Sequence, residues 1–275
     1  MKDIETKLLL EIIVKETQNL FSERIKAIFK IGSLGKHGDF SSCSDIDIAL
    51  LLDKIQPQDN ENIKKLSNKI QSYPLLFSDR VSIFWSSYQQ EDFSQGKGRF
   101  PALDRLDLLQ NGEILIGEDH RRNFLFPKVE LLILESAQFL LHSLLTQEKC
   151  LEIKNAKNIL QKGARYFSKF VLFPVRLKFS LDHPTILGSN KNSVEYYIKN
   201  WSQVLFGVKE IIEAAYTARN LSYETVINLD PNWVKKKLVK LYIYCITQYI
   251  NKLIDLKYFL LVQQLNQKIE FLINA

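Results

Sequence analysis

The most constraining feature of the chain is an acidic strand that follows a Gly-Ser turn. Residues 45–52 read Asp-Ile-Asp-Ile-Ala-Leu-Leu-Leu, an apolar run typical of a buried strand that opens with two carboxylates. Side chains alternate between the faces of a strand, so Asp45 and Asp47 should point the same way. Because acidic residues are depleted in strands, this pair predicts a functional site.

The turn before this strand adds groups that suit a phosphate. Gly32 and Ser33 follow an apolar run, and the segment 34–44 separates them from Asp45. A Gly-Ser turn brings backbone N–H groups and a hydroxyl close to a phosphate. Paired carboxylates bind hard divalent cations through oxygen. The pattern therefore predicts a site for a divalent cation and a phosphate.

This stretch resembles the signature of the polymerase-β-like nucleotidyltransferase superfamily. The signature is apolar-Gly-Gly/Ser, a spacer and Asp-apolar-Asp-apolar, and it is matched here by 31–33 and 45–48. The resemblance implies transfer of a nucleoside monophosphate from an NTP, with AMP from ATP as the favoured case. It also implies two Mg²⁺ ions, with Asp45 and Asp47 as metal ligands and catalytic residues. The residues that it implies for nucleotide binding are Gly32, Ser33, Lys36 and Ser44.

Members of that superfamily usually carry a third acidic residue on the next strand. Here the stretch 77–85 contains the predicted strand, the expected position is Ser82 or Arg80, and neither is acidic. We therefore name Asp79, at the start of this strand, as the third catalytic candidate, which a β-bulge would have to re-aim. The further candidates are Asp104, Asp107 and Asp119, or a base from the helical half, Glu135 or Glu195.

The hydrophobic periodicity predicts an α+β fold. The elements predicted in the first half are helices over 4–24 and 60–72, a short helix or turn over 102–111, and strands over 24–31, 45–52, 81–85 and 112–117. The later helical stretches are 128–147, 153–172, 191–216 and 233–272. Together with the resemblance above, this order of elements implies a polymerase-β-like nucleotidyltransferase module, a mixed sheet with flanking helices, over 1–125. An all-α, acceptor-binding domain should follow over 126–275.

This layout is similar to that of the enzymes that adenylylate aminoglycosides and lincosamides. Residues 109–119 match the Leu-x-Gly-x-Asp phrase that closes the catalytic domain of such transferases. Residues 188–197 resemble a phrase in the helical domain of the aminoglycoside enzymes. That resemblance implies that Glu195 and Tyr197 face an acceptor, although an ordinary helix with one exposed and one packed residue is the alternative explanation.

Charge is divided unevenly between the two halves. Residues 1–120 carry 15 Lys and Arg against 19 Asp and Glu, a net charge of −4, whereas 121–275 carry 22 against 12, a net charge of +10. A basic helical half is a poor host for a polycationic aminoglycoside, but suits a triphosphate or an acidic acceptor. We favour a small-molecule acceptor over protein or nucleic acid and leave its identity open.

The composition is that of a cytoplasmic globular protein. Hydrophobic residues make up 46% of the chain, and 10 Gly and 7 Pro leave little room for disorder. The scattered cysteines, Cys43, Cys150 and Cys245, argue against a disulfide framework or a zinc site. The N-terminus has no apolar signal core, and charges interrupt the long apolar stretches, so we expect no membrane span.

Two other functions stay open. The missing third carboxylate fits a degenerate, nucleotide-binding regulatory module without transferase turnover. A toxin–antitoxin-like protein with an RNA-cleaving helical domain would use Arg176 and His183, which have six residues between them. Leu177 and Pro184 depart from that pattern. We interpret His37 as a plain loop residue.

Overall fold

The computed structural model describes residues 2–36, 38–200 and 207–274. The chain divides into a first unit, Met1–Gly38 with Asp45–Pro127, and a second unit, Asp39–Ser44 with Lys128–Ala275. The short segment Asp39–Ser44 thus belongs, by its contacts, with the C-terminal part of the chain. In sequence, however, it lies between the two parts of the first unit.

The described part of the first unit contains a mixed sheet. Its strands are β1 (Ile25–Ile31), β2 (Ile46–Leu52), β3 (Val81–Ser87) and β4 (Glu113–Gly117), in the order β3-β2-β1-β4. β1 pairs antiparallel with β2 and β4, and β2 pairs parallel with β3. The register places Ile31 opposite Asp47. The end of β1 and the start of β2 therefore lie side by side.

Helices flank this sheet. They are α1 (Lys2–Phe21), α2 (Asp59–Gln71), α3 (Gln90–Ser94) and α4 (Ala102–Asn111). One sheet face forms an apolar core with residues of and around α3 and α4, and its members are Ala27, Phe29, Ile31, Ala49, Leu51, Phe93, Phe100, Leu108 and Phe124. The sequence did not predict α3, because five residues are too few for a periodic signal.

The described part of the second unit, apart from its segment Asp39–Ser44, is helical. Its helices are α5 (Val129–Phe139), which continues as a π-helix (Leu140–Leu144), α6 (Gln147–Lys154), α7 (Ala156–Gln161), α8 (Ala164–Asp182), α9 (Asn190–Asn200), α10 (Lys209–Ala218), α11 (Pro231–Asp255) and α12 (Phe259–Ile273). The predicted fold class, an α+β module followed by an all-α part, is confirmed. Part of the predicted helix 191–216, at 201–206, lies outside the described residues.

Two of the helices that the sequence predicts as continuous are interrupted in the structure. The stretch 153–172 is not one helix, because Gly163 adopts a φ of +93° and separates α7 from α8. A Cβ at Gly163 would also lie 2.8 Å from the Tyr223 carbonyl oxygen. The stretch 233–272 breaks between α11 and α12, where Lys257 has a φ of +63°. Backbone conformation at single residues decided both breaks, and apolar spacing does not report it.

No single helix among the described residues is long and apolar enough to cross a membrane. The helical segments Val129–Leu144 and Gln147–Lys154 are long and apolar enough only when they are counted together, and the chain bends by 69° between them.

A proline in the middle of α8 is accommodated by a tyrosine of α11. Pro174 has no N–H, so the Phe170 carbonyl one turn earlier loses its usual helical donor. The Tyr242 hydroxyl donates to that buried carbonyl at 3.1 Å. One and two helical turns further along α11, the Cys245 thiol and the Tyr249 hydroxyl contact other α8 carbonyls. These bonds let α8 continue through the proline as one helix.

We predict that Tyr242→Phe costs about 1–2 kcal/mol of unfolding free energy, because it leaves the buried Phe170 carbonyl without that donor. In a Pro174→Ala background the same change should cost less, since an alanine at this position restores a backbone N–H that can serve the carbonyl. Urea unfolding of the four proteins in this double-mutant cycle measures the difference.

Tyr258→Phe is the matched control. The Tyr258 hydroxyl donates to Glu130 at 2.8 Å in an exposed position, so its loss should cost little. An equal cost of Tyr242→Phe with and without Pro174 would contradict the proposed compensation.

Candidate functional site

The two acidic residues stand at the start of β2, at the edge of an apolar core. Asp45 directly precedes the strand and Asp47 lies in it, and both are half-buried, whereas the intervening Ile46 is fully buried. Asp47 shares its sheet face with Ala49 and Leu51, which belong to the core. The Asp47 carboxylate therefore occupies the end of this face, where apolar packing gives way to polar groups.

The Gly-Ser turn lies directly against the second carboxylate. Gly32 opens a 3₁₀ turn, Gly32–Leu34, with a φ of +62°. A Cβ at this position would collide with Asp47 Oδ2, so no side chain fits without displacing the carboxylate. The Ser33 hydroxyl lies 3.5 Å from the Asp45 carbonyl oxygen. The structure thus brings together Gly32, Ser33, Asp45 and Asp47.

Helix α4 holds this turn from the other side. The Gly32 N–H donates to Asp107 Oδ2 at 2.8 Å, and Asn111 Nδ2 donates to the Gly32 carbonyl at 2.7 Å. Asn111 also donates to Asp107 Oδ1 at 3.0 Å, one helical turn away. The Lys36 N–H donates to the Asn111 carbonyl at 2.8 Å. Both backbone groups of Gly32 are therefore fixed by α4 side chains.

Sequence reasoning missed Asn111 and gave Asp107 a different role. Asp107 appeared only as a distant candidate for a third carboxylate, whereas its two oxygens accept from Gly32 and Asn111. The Asp107 and Asn111 residues are 6% and 2% exposed. An Asp-x-x-x-Asn pair in a helix with apolar neighbours was the available signal, because residues four apart share a helix face.

The proposed third carboxylate stands before β3 rather than on it. Asp79 sits in the 3₁₀ turn Ser78–Arg80, is 74% exposed and lies 3.5 Å from Arg80 Nε. The parallel register places Ser82 opposite Asp47, as expected from strand parity. Within the described residues no group of three His, Cys, Asp or Glu could hold a metal. At this point β2 supplies Asp47, Asp45 directly precedes that strand, and β3 supplies no carboxylate.

Another candidate, Asp119, is engaged by an arginine. Arg121 Nε and Nη2 donate to the two Asp119 oxygens, and Nη1 donates to the Gly112 carbonyl at 2.7 Å, just after α4 ends. The guanidinium also lies over the Phe29 ring. The bonds from Arg121 lower the pKa of Asp119 to about 2, and Lys36 adds a smaller effect. This pair fixes the C-terminal end of α4, and hence Asn111.

Lys36 and Ser44 occupy different surroundings. The Lys36 side chain is exposed close to the turn. Ser44 is buried in the second unit, where its hydroxyl accepts from the Ser41 N–H at 2.9 Å and from Arg219 Nη2 at 3.3 Å. His37 lies outside the described residues.

The remaining candidates belong to the second unit. Glu135 is half-buried on α5, Glu195 is exposed on α9 and Tyr197 is buried. Arg176 Nε donates to the Gly188 carbonyl at 2.7 Å, and the His183 ring packs between aromatic rings.

Comparison with known proteins identifies a shared fold. No protein-family model matches the chain, and no curated protein sequence matches it significantly. The structure is similar to the crystal structure of spectinomycin adenyltransferase from Enterococcus faecialis with ATP and spectinomycin, with a TM-score of 0.57 and 11% sequence identity. The match covers 86% of this chain and 98% of that chain. At this identity the likeness establishes the fold alone.

We predict that Asn111→Ala destabilises the first unit by about 2 kcal/mol, because the Gly32 carbonyl and Asp107 Oδ1 lose a buried donor. Thermal unfolding of the variant measures this loss. Asn68→Ala, at an exposed position of α2, is the matched control and should change stability by less than about 0.5 kcal/mol. Equal effects of the two variants would show that the hydrogen bonds from Asn111 to the Gly32 turn contribute nothing to stability.

The Asp119–Arg121 pair predicts a pH dependence. The pKa of Asp119 is about 2 in the folded protein against an ordinary value of 3.8, so its stabilising effect is full above the unfolded value. The effect is lost as the pH falls toward the folded value. Asp119→Asn should therefore lower the melting temperature at neutral pH and converge with the wild type as the pH approaches the folded pKa. A constant difference across this range would contradict the assignment.

Proposed function

We propose that the protein is a Mg²⁺-dependent nucleotidyltransferase. It moves a nucleoside monophosphate, AMP from ATP in the first instance, to a hydroxyl of a small-molecule acceptor and releases pyrophosphate. The observation that carries this proposal is the close approach of the Asp47 carboxylate to Gly32, two residues after Asp45 in the chain. The fold shared with an adenyltransferase whose crystal structure holds ATP and spectinomycin supports it.

The carboxylate pair fits a divalent metal. Asp45 and Asp47 offer hard oxygen ligands from one side of a strand, and both are half-buried. Two carboxylates would leave the remaining ligand positions of a Mg²⁺ ion to phosphate oxygens and water, as is usual for Mg²⁺ bound with a nucleotide. The metal supplies Lewis acidity and neutralises charge on the phosphates. The role of the protein would be to hold both carboxylates in place beside the turn.

The turn provides close approach to the phosphates. Because Asp107 already accepts the Gly32 N–H, the contribution of Gly32 is its missing side chain and positive φ. Ser33, with its hydroxyl and backbone N–H, is the proposed contact to the β- and γ-phosphate oxygens. The exposed ammonium of Lys36 would add a cation there. For Ser44, the buried bonds to Ser41 and Arg219 favour a positioning role over direct nucleotide contact.

The acceptor and the base are the open parts of the chemistry. Asp79 stays our candidate for the third carboxylate, and its side chain is exposed. The net charge of +10 on residues 121–275 disfavours a polycationic acceptor. We therefore propose that the acceptor is a small molecule of neutral or acidic character.

A second candidate function is nucleotide binding without turnover. Ser82 lies opposite Asp47 in the register, where a third carboxylate would complete the site. A regulatory module that binds Mg²⁺·ATP would need only the two carboxylates, Asp45 and Asp47, and the turn at Gly32. Neither the packed His183 nor the carbonyl-bound Arg176 favours an RNA-cleaving function.

Titration with ATP in the presence and absence of Mg²⁺ tests the proposal. We expect metal-dependent binding that Asp45→Asn and Asp47→Asn each reduce at least about tenfold, because each removes an anionic ligand. Asp255→Asn, an exposed change on α11, is the matched control and should bind like the wild type. Absence of Mg²⁺-dependent binding of any NTP to the wild type would overturn the proposal.

Transfer itself separates the two candidate functions. With ATP radiolabelled at the α-phosphate and a panel of hydroxyl-bearing small molecules, a transferase forms a labelled product, whereas a binding module does not. Asp79→Asn should retain Mg²⁺·ATP affinity and lose at least about tenfold in transfer rate if it supplies the base. An unchanged rate would remove Asp79 from the site.

A further inference from the structure

The segment Asp39–Ser44, directly before Asp45 in the chain, is bound to the end of α10. The Ser42 hydroxyl contacts the carbonyls of Arg219 and Leu221, and the Cys43 thiol lies 3.8 Å from the Ala218 carbonyl. The last carbonyls of a helix have no partner within it and must be satisfied from outside. The segment thus supplies side-chain donors to the C-terminal end of α10.

One buried arginine bridges both ends of the segment. Arg219 Nη2 donates to the Asp39 carbonyl at 2.7 Å and to the Ser44 hydroxyl at 3.3 Å. Its Nε lies 3.9 Å from Asp39 Oδ2. Arg219 is 6% exposed, and burial lowers its pKa. A buried guanidinium is costly unless its partners are held in place, so loss of one partner would disturb the others.

Further groups surround this arginine. Tyr216, one helical turn earlier on α10, has its pKa raised to about 12 by burial and then by the nearby Asp39 carboxylate. The charges of Arg176 and Glu195 also act on this cluster. A polar cluster of the second unit therefore helps to specify the conformation of Asp39–Ser44.

We propose that Arg219 is a positioning residue for the metal-binding carboxylate of Asp45. The inference rests on the proposed function, because it concerns the same Mg²⁺·nucleotide site. Ser44, held by Arg219, is joined to Asp45 by one peptide bond. Metal ligands must be held within a fraction of an ångström to bind well. A segment released from α10 would leave Asp45 less restrained and weaken the binding of Mg²⁺·ATP.

Cys43 provides a direct readout of the segment. It is 1% exposed and seated on α10, while Cys150 and Cys245 are similarly buried at other places in the second unit. Alkylation of the native protein with N-ethylmaleimide, followed by peptide mass spectrometry, gives a rate for each thiol. In Arg219→Ala we expect Cys43 to react at least about tenfold faster, from the loss of charge-assisted bonds. The rates of Cys150 and Cys245 should not change.

The same variants are then titrated with Mg²⁺·ATP. Arg219→Ala should weaken binding about tenfold, and Arg219→Lys, which keeps the charge, should recover part of the loss. By linkage, Mg²⁺·ATP must in turn slow Cys43 alkylation in the wild type, and this protection should vanish in the Asp45→Asn protein. Lys209→Ala, at an exposed position of α10, is the matched control and should leave both readouts unchanged.

Each outcome decides between specific claims. Unchanged Cys43 reactivity in Arg219→Ala overturns the proposal whatever the nucleotide data show. Faster Cys43 alkylation with an unchanged Mg²⁺·ATP affinity, measured against a wild type that binds normally, overturns the positioning role alone. Equal acceleration at all three thiols means general unfolding and also overturns it. Failure of the wild type to bind Mg²⁺·NTP overturns the proposed function, and with it the role of Arg219.

Discussion

The close approach of the Asp47 carboxylate to the Cα of Gly32 is the constraint on which the candidate site depends. It requires a residue without a side chain, a positive φ and an antiparallel register that brings the end of β1 beside the start of β2. The turn at Gly32 needs support from outside, because a turn with a positive φ is free to move when nothing holds it. The Asp107–Asn111 pair on α4 supplies the support by binding both backbone groups of Gly32.

Support of this kind extends outward in steps. Arg121, bound to Asp119, donates to the Gly112 carbonyl just after α4 and thereby restrains the helix that carries Asn111. Each step satisfies one polar group with another, and the inner pair, Asp107 and Asn111, is buried, which is where such contacts are most specific. Asp45 and Asp47, at the edge of the core, can therefore be held rigidly although apolar packing ends there.

The second unit follows a similar rule with different groups. The Phe170 carbonyl that Pro174 leaves open receives the Tyr242 hydroxyl, and the carbonyls at the end of α10 receive side chains of Asp39–Ser44. In both places a side chain distant in sequence completes a backbone group that the helix itself cannot satisfy. Such long-range bonds fix how the pieces of this unit fit together, beyond what apolar burial alone would specify.

The sequence alone determined the fold class, the strand that carries Asp45 and Asp47 and the turn at Gly32, because strand alternation and glycine conformation act over a few neighbouring residues. Only the tertiary structure decided which groups hold them. Asp107 accepts hydrogen bonds from the Gly32 turn and from Asn111, a residue that the sequence did not single out, and Ser44 lies in the Arg219 cluster. The physical reason is range: a hydrogen bond between residues 75 or 175 positions apart leaves no periodic trace in the chain.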